Sequence, residues 1–304
     1  MTEPSKAAPQ VKSEPMAKAK TEQKSGAAPR TEARQRVCVV APARRLERET
    51  ADAVSSLCAA RYEGVIDLHF HEQCFAQAGH FAGSDKERCD AFVDAANDPS
   101  VDVIWFARGG YGSGRFARSA VSQLNEHASA KTFIGYSDTG FLLAALDRAG
   151  VGTRVHGPMP ADILRDGGEA AVHRTLDFIS GDYSGLEPQT ATGRCVALNL
   201  TVLTALCASG TPPNLTGATL IIEEVSEHLY AIDRSMSVIS NNPAFREIKG
   251  LRLGRISDVP ENDIDFGETA EEIVRRWCMD AHIDFLGAAD IGHDAHNKIV
   301  AWNS

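Results

Sequence analysis

The sequence predicts an α/β protein: a parallel sheet covered by helices on both faces, followed by a smaller second unit of α/β or α+β type. Three observations carry this. Short apolar runs recur from Val37 onward, and segments of helical periodicity lie between them. The composition, 43% hydrophobic and 24% charged over 304 residues, is that of an ordinary globular chain.

The run Val37-Cys38-Val39-Val40-Ala41, closed by Pro42, reads as a buried strand. From Arg48 to Tyr62, residues Ala53, Val54, Leu57 and Cys58 share one helical face. Residues 64–70 read as a second strand. Ser84-Asp85-Lys86-Glu87 has the form of a capping box, whose Ser and Glu satisfy the first free amides of a helix running to Asn97. A third strand over 101–107, a helix over 115–127, a fourth strand over 132–135 and a helix over 138–149 follow. Strands separated by helical crossovers pair in parallel.

Between 165 and 195 the pattern weakens, because Gly167-Gly168, Gly181, Gly185 and Pro188 crowd together. The first domain is therefore read as 37–165, a linker as 166–195 and a second domain as 196–304. The second domain reads as a helix over 197–208, a strand over 218–223, a helix over 232–240, a strand over 251–257, a helix over 268–281 and a strand-like run toward Ile291.

The formal charge of −10 is unevenly spread. Residues 1–36 hold eight Lys/Arg and four Glu, which is +4, and leave −14 on 37–304. That first stretch contains no Leu, Ile, Phe, Tyr or Trp, so it cannot bury enough apolar surface to offset chain entropy and is expected to be a disordered tail. It also lacks the apolar stretch of a secretory signal. An acidic body argues against nucleic acid, and the longest apolar runs, such as 141–146, are too short for a membrane. Seven cysteines without a C-x-x-C pair read as free thiols in a cytoplasmic protein.

Open parallel sheets bind ligands beyond the carboxyl ends of their strands. Two such ends are unusual here. The third strand runs into Arg108-Gly109-Gly110-Tyr111-Gly112-Ser113-Gly114-Arg115, where bare backbone amides can approach an anion or form an oxyanion hole, or where a flexible turn simply joins strand to helix. The spacing is neither that of a P-loop nor that of a dinucleotide fingerprint. The fourth strand runs into Gly135-Tyr136-Ser137-Asp138-Thr139-Gly140, a near match to a nucleophile elbow with Thr139 in place of the second glycine. Alternatively Ser137 or Asp138 caps the following helix. A serine nucleophile needs a base and an orienting carboxylate. His293 follows a strand-like run, and Glu223-Glu224 ends another, with one of the two carboxylates directed toward the apolar side. His69, His71, Cys74 and His80 lack a firm ligand spacing, so no metal is expected.

Together these stretches resemble the LD-carboxypeptidase family of serine peptidases, which includes muramoyltetrapeptide carboxypeptidases and microcin C immunity peptidases. The resemblance runs through Ala41-Pro42, the segment 81–88, the Arg108-to-Gly112 loop, Ile134-Gly135-Tyr136-Ser137-Asp138 and His156-Gly157-Pro158-Met159. It continues in Asn199-Leu200-Thr201-Val202-Leu203, Ile222-Glu223-Glu224-Val225, Tyr230-Ala231-Ile232-Asp233-Arg234 and Gly292-His293. It implies a flavodoxin- or Rossmann-like first domain and a Ser137–His293–Glu223 triad bridging both domains. Oxyanion donors would be the amides of Gly110 and Asp138. Arg108, Gly109, Tyr111, Arg115 and His156 are the candidates for substrate contact. The implied reaction is hydrolysis of the amide before the terminal D-alanine of murein tetrapeptides, by a cytoplasmic homodimer without a cofactor. Two alternatives are an immunity-type amidase acting on a peptide-nucleotide toxin and a catalytically silent muropeptide sensor. The chain departs from the family's usual residues at Ala43, Leu198, Glu224 and the segment after His293, which carries Trp302 near its end. Of these, Leu198 is expected to crowd a turn near the site.

Overall fold

The computed structural model describes residues 1–2, 34–188 and 193–302. The chain divides into two units, Met1–Glu32 and Ala33–Ser304, and everything below concerns the second. The bulk of the expected tail, residues 3–33, lies outside the described residues. Its last two residues, Gln35 and Arg36, instead open the first strand and pair with Ile66 and Asp67.

Strands β1 (Gln35–Val40), β2 (Ile66–Phe70), β3 (Val103–Phe106), β4 (Thr132–Gly135) and β5 (Thr153–His156) form a parallel sheet in the order 2-1-3-4-5. They are linked by α1 (Arg48–Tyr62), α2 (Asp85–Asn97), α3 (Ala117–Val121) and α4 (Gly140–Ala149). Strand β3 is buried along its whole length, as expected of a strand covered on both faces. The capping box is present: Ser84 accepts from the Glu87 amide at 3.2 Å and Glu87 accepts from the Ser84 amide at 2.8 Å.

After α5 (Gly168–Ile179) a second parallel sheet follows, with β6 (Cys195–Asn199), β7 (Thr219–Val225), β8 (Gly250–Ser257) and β9 (Phe285–Ala288) in sequential order. Helices α6 (Leu200–Ala208), α7 (Leu229–Ser240) and α8 (Ala270–Asp280) connect them. The chain then returns to the first sheet, where β10 (Val300–Trp302) pairs antiparallel with β5. One buried apolar cluster runs through both sheets, joining Phe106, Phe133 and Leu142 to Val196, Leu220 and Ile273. A fully buried large apolar side chain contributes about 1.5–3 kcal/mol, so this shared core fixes the two sheets against each other.

Four expectations need correction. The helix expected over 115–127 is only α3, flanked by 3-10 turns at Ser113–Arg115 and Glu126–Ala130, because the Asn125 side chain accepts from the His127 amide and starts a new turn. The helix expected over 197–208 begins as strand β6, and Asn199 caps α6 by accepting from Val202. The stretch expected as linker contains α5, whose buried Ala171, Val172, Leu176 and Ile179 form a packed stripe behind glycines that locally read as breakers. Strands β5 and β10 were invisible to the sequence pattern, because β5 reads Thr-Arg-Val-His with a single apolar residue and β10 is only three residues long. Among the described residues no helix is long and apolar enough to cross a membrane, and all seven cysteines are free and buried.

Candidate active site

Strand β4 ends at Gly135, and the chain turns through a single 3-10 turn, Ser137–Thr139, directly into α4. Ser137 sits at φ 59°, the left-handed region that costs a residue with a Cβ about 1 kcal/mol or more. Such a turn projects the hydroxyl from the sheet rather than folding it back onto the helix, and Ser137 makes no capping bond. Asp138 also turns away from its own helix. Its carboxylate accepts from the amides of Gly112 (3.1 Å) and Ser113 (2.8 Å), while Ser113 Oγ donates to the Asp138 carbonyl at 2.5 Å. The turn after β4 is thereby tied to the glycine loop after β3. Burial pushes the Asp138 carboxyl above its ordinary value despite those amides.

The loop passes so close to Ser137 that a Cβ at Gly109 would stand 2.9 Å from both Cβ and Oγ of the serine. Gly109→Ala is therefore expected to displace the hydroxyl and lower turnover about a hundredfold, the effect of an ångström-scale misplacement. Thermal unfolding of the variant, measured alongside, separates this local displacement from loss of the fold. Unchanged turnover would show that the hydroxyl position does not matter.

His293 Nε2 lies 3.0 Å from Ser137 Oγ, and His293 Nδ1 lies 2.6 Å from Glu223 Oε2. With Nδ1–H donating to the carboxylate, Nε2 is left as the acceptor for the serine proton. Glu223 is completely buried, at a register shift between β7 and β8, and its Oε1 has no hydrogen-bond partner among the described residues. Its neighbour Glu224 faces elsewhere. Glu224 accepts from Asn199 Nδ2 (2.7 Å), the Thr201 amide (2.8 Å) and the Val225 amide (2.9 Å), which secures the start of α6. Strand alternation separates the two carboxylates onto opposite faces.

The His293 turn is held from three sides. Arg255 on β8 binds Asp290 Oδ1 at 2.5 Å and also binds Asp294. Arg165 donates to the His293 carbonyl at 2.6 Å and to Asp162 at 2.8 Å. Asn297 Oδ1 accepts from the Gly292 amide and meets His156 Nε2, both at 3.1 Å. Burial alone would push the His293 pKa down, but the charge and hydrogen bond of Glu223 outweigh it and the pKa is raised.

A cavity of about 290 Å³ opens over Ser137 and is lined by Arg108, Gly109, Gly110, Tyr136, Arg165 and His293, among others. Of the residues singled out from sequence, Arg108, Gly109 and Gly110 thus reach the cavity with Ser137 and His293. Tyr111 and Arg115 instead line a neighbouring groove of about 730 Å³ between α3, α4 and α6, and Arg115 is paired with Asp85 at 2.7 Å. His156 is buried beneath Tyr136, edge-on to its ring, and burial lowers its pKa. Leu198 is accommodated without crowding the turn, because it packs where Gly140 has no side chain: a Cβ there would be 2.7 Å from Leu198 Cδ2. Asp162, Arg165, Arg255 and Asn297 carried no sequence signal, since each also engages a residue on a distant segment: Tyr136, the His293 carbonyl, Asp294 and His156 respectively. The histidines and thiol considered for metal have other partners: Cys74 Sγ donates to the Val39 carbonyl at 3.2 Å, His71 Nδ1 accepts from the Gln73 amide at 3.2 Å, and His80 packs against Phe81.

Comparison with known proteins bears on this arrangement. The models of the LD-carboxypeptidase N-terminal and C-terminal domains match residues 37–157 and 192–303. A murein tetrapeptide carboxypeptidase of Pseudomonas aeruginosa is 27% identical, covering 88% of this chain and 90% of that protein. A Synechocystis protein named as a carboxypeptidase is 31% identical over 88% of this chain and 89% of its own length. Among solved structures, muramoyltetrapeptide carboxypeptidase from Oxalobacter formigenes superposes with a TM-score of 0.70 at 21% identity, covering 88% of this chain and 93% of that one. The microcin C7 self immunity protein in complex with glutamyl sulfamoyl guanosine does so at 0.67 and 15%, covering 90% and 96%. At those identities the structural likeness speaks for the fold.

Proposed function

The chain belongs to the LD-carboxypeptidase family, and from that premise we propose that it is a serine-type LD-carboxypeptidase hydrolysing the amide before the terminal D-alanine of murein tetrapeptides. The observation that supports this most is the hydrogen-bonded line from Ser137 through His293 to a fully buried Glu223.

In this reading His293 takes the proton of Ser137 as the hydroxyl attacks the carbonyl carbon, and Glu223 orients the imidazole and stabilises its cationic form. The amides of Gly110 and Asp138 receive the developing oxyanion. The protonated His293 then donates to the departing amine, which leaves as D-alanine. A water activated by the same ring hydrolyses the acyl-enzyme and regenerates the serine. The Asp138 carboxylate holds the two amide-bearing turns at a constant separation. The enzyme works in the cytoplasm as a homodimer.

Incubating the protein with murein tripeptide, tetrapeptide and pentapeptide tests the reading. D-alanine release from the tetrapeptide alone is expected. Cleavage of aspartyl sulfamoyl adenosine in preference to tetrapeptide would favour the immunity-type amidase instead, and binding without release would favour a sensor.

A further inference from the structure

The strand order 2-1-3-4-5 reverses between β1 and β3. In doubly wound sheets the crevice at such a reversal is where ligands settle, because the two adjacent loops diverge to opposite faces. Here each of those loops supplies an arginine: Arg44 just beyond β1 and Arg108 just beyond β3. The aliphatic stem of Arg44 lies directly over Gly110, so that a Cβ there would stand 2.6 Å from Arg44 Cδ. Gly110, at φ 118°, is in a region other residues rarely adopt, and the loop meets the arginine there without obstruction.

The two guanidiniums differ from other arginines nearby. Arg45 pairs with Glu47 at 2.9 Å, Arg115 with Asp85 at 2.7 Å and Arg165 with Asp162 at 2.8 Å. Arg44 and Arg108 have no ion-pair partner among the described residues, and Arg108 makes one long bond, 3.3 Å, to the Arg45 carbonyl. Burial, and next the charge of Arg44, lower the Arg108 pKa, and the charges of Glu47 and Asp162 offset this only in part. Like charges that have no ion-pair partner of their own are relieved by a bound anion. Arg108 and Gly110, the residue that Arg44 overlies, line the same cavity as Ser137, so an anion held between the two arginines borders the cavity of the serine.

We propose that Arg44 and Arg108 form a carboxylate subsite that holds the free C-terminal carboxylate of the residue to be released. This rests on the hydrolase reading above and adds to it the group that makes the enzyme recognise a chain end. A guanidinium matches a carboxylate with paired donors, which an amide terminus cannot reproduce.

The test uses the full chain carrying Ser137→Ala, titrated calorimetrically with murein tetrapeptide and with the same peptide as its C-terminal amide. The free acid should bind at least about tenfold more tightly, the scale of one charge-assisted hydrogen bond. Adding Arg44→Gln, at an exposed position where folding is not at risk, should reduce that preference to about threefold or less. Equal binding of acid and amide, binding of neither, or a preference that survives Arg44→Gln overturns the subsite. Wild-type turnover of the tetrapeptide is measured in parallel and reports on the hydrolase reading alone. An Arg44-dependent preference without turnover would overturn that reading and leave the carboxylate subsite standing.

Discussion

Ser137→Ala is expected to lower tetrapeptide turnover by about 10⁴- to 10⁶-fold, because nucleophile, base and orienting acid act as a unit and loss of the first leaves only binding and oxyanion stabilisation. The fold should tolerate the change. Ser137 Oγ bonds only His293 among the described residues, so no buried charge is exposed or orphaned. His293→Ala should lose as much turnover and, unlike the serine variant, also lose stability. Glu223 is fully buried and its second oxygen is already without a partner, so removing the imidazole leaves an uncompensated carboxylate, at a cost of about 3–5 kcal/mol. Urea unfolding of the two variants separates the effects. If Ser137→Ala kept more than about one per cent of wild-type kcat, its hydroxyl would not be the nucleophile.

The second large effect concerns the acid. Glu223→Gln should lower kcat by about 10³- to 10⁴-fold, since Gln can hold the ring but cannot stabilise its cation. It should also move the pH profile, with a sign that follows from the structure. Burial lowers the His293 pKa and Glu223 raises it, with Glu223 prevailing. Only the neutral ring accepts the serine proton, so kcat/KM in the wild type falls as pH drops through a value above that of an ordinary histidine. Without the carboxylate, burial remains and the acid limb moves to lower pH. Glu224→Gln serves as the contrast. It disturbs the bonds at the start of α6, costs stability by about 1–2 kcal/mol, and shifts the limb less. An acid limb that follows Glu224 rather than Glu223 would transfer the orienting role to Glu224.

Much of the framework was legible because it is local. The apolar runs at 37–41, 101–107 and 132–135 are strands buried on both faces, and that environment admits few polar residues. The Ser84–Glu87 capping box is a four-residue pattern whose reciprocal bonds need no tertiary partner. The turn around Ser137 could be proposed from its glycines and its place after a strand, although a helix cap fitted the same letters. What escaped were β5, whose Thr-Arg-Val-His has no apolar run to register, β10, which is three residues long, and α5, whose leading glycines outweighed its apolar stripe.

The sequence by itself determined the α/β class, the two unusual loops at the ends of strands and, through family resemblance, the three residues to examine. The tertiary structure alone decided how those residues meet. Ser137 and His293 are 156 positions apart and Glu223 and His293 are 70 apart, so neither spacing nor propensity can place them in contact. That contact comes from one apolar core shared by both sheets, from the bulge at Glu223 and from the return of β10 beside β5. Alternation assigns two adjacent carboxylates to opposite faces without saying which face holds the histidine; the resemblance pointed to Glu223, and the coordinates put Glu223 beside His293 and Glu224 at the start of α6. The same holds for the arginines: Arg115 is engaged by Asp85, while Arg44 lies over Gly110 on the loop that also carries Arg108, and neither has an ion-pair partner among the described residues. Pairing and its absence are properties of distance, which only the folded chain defines.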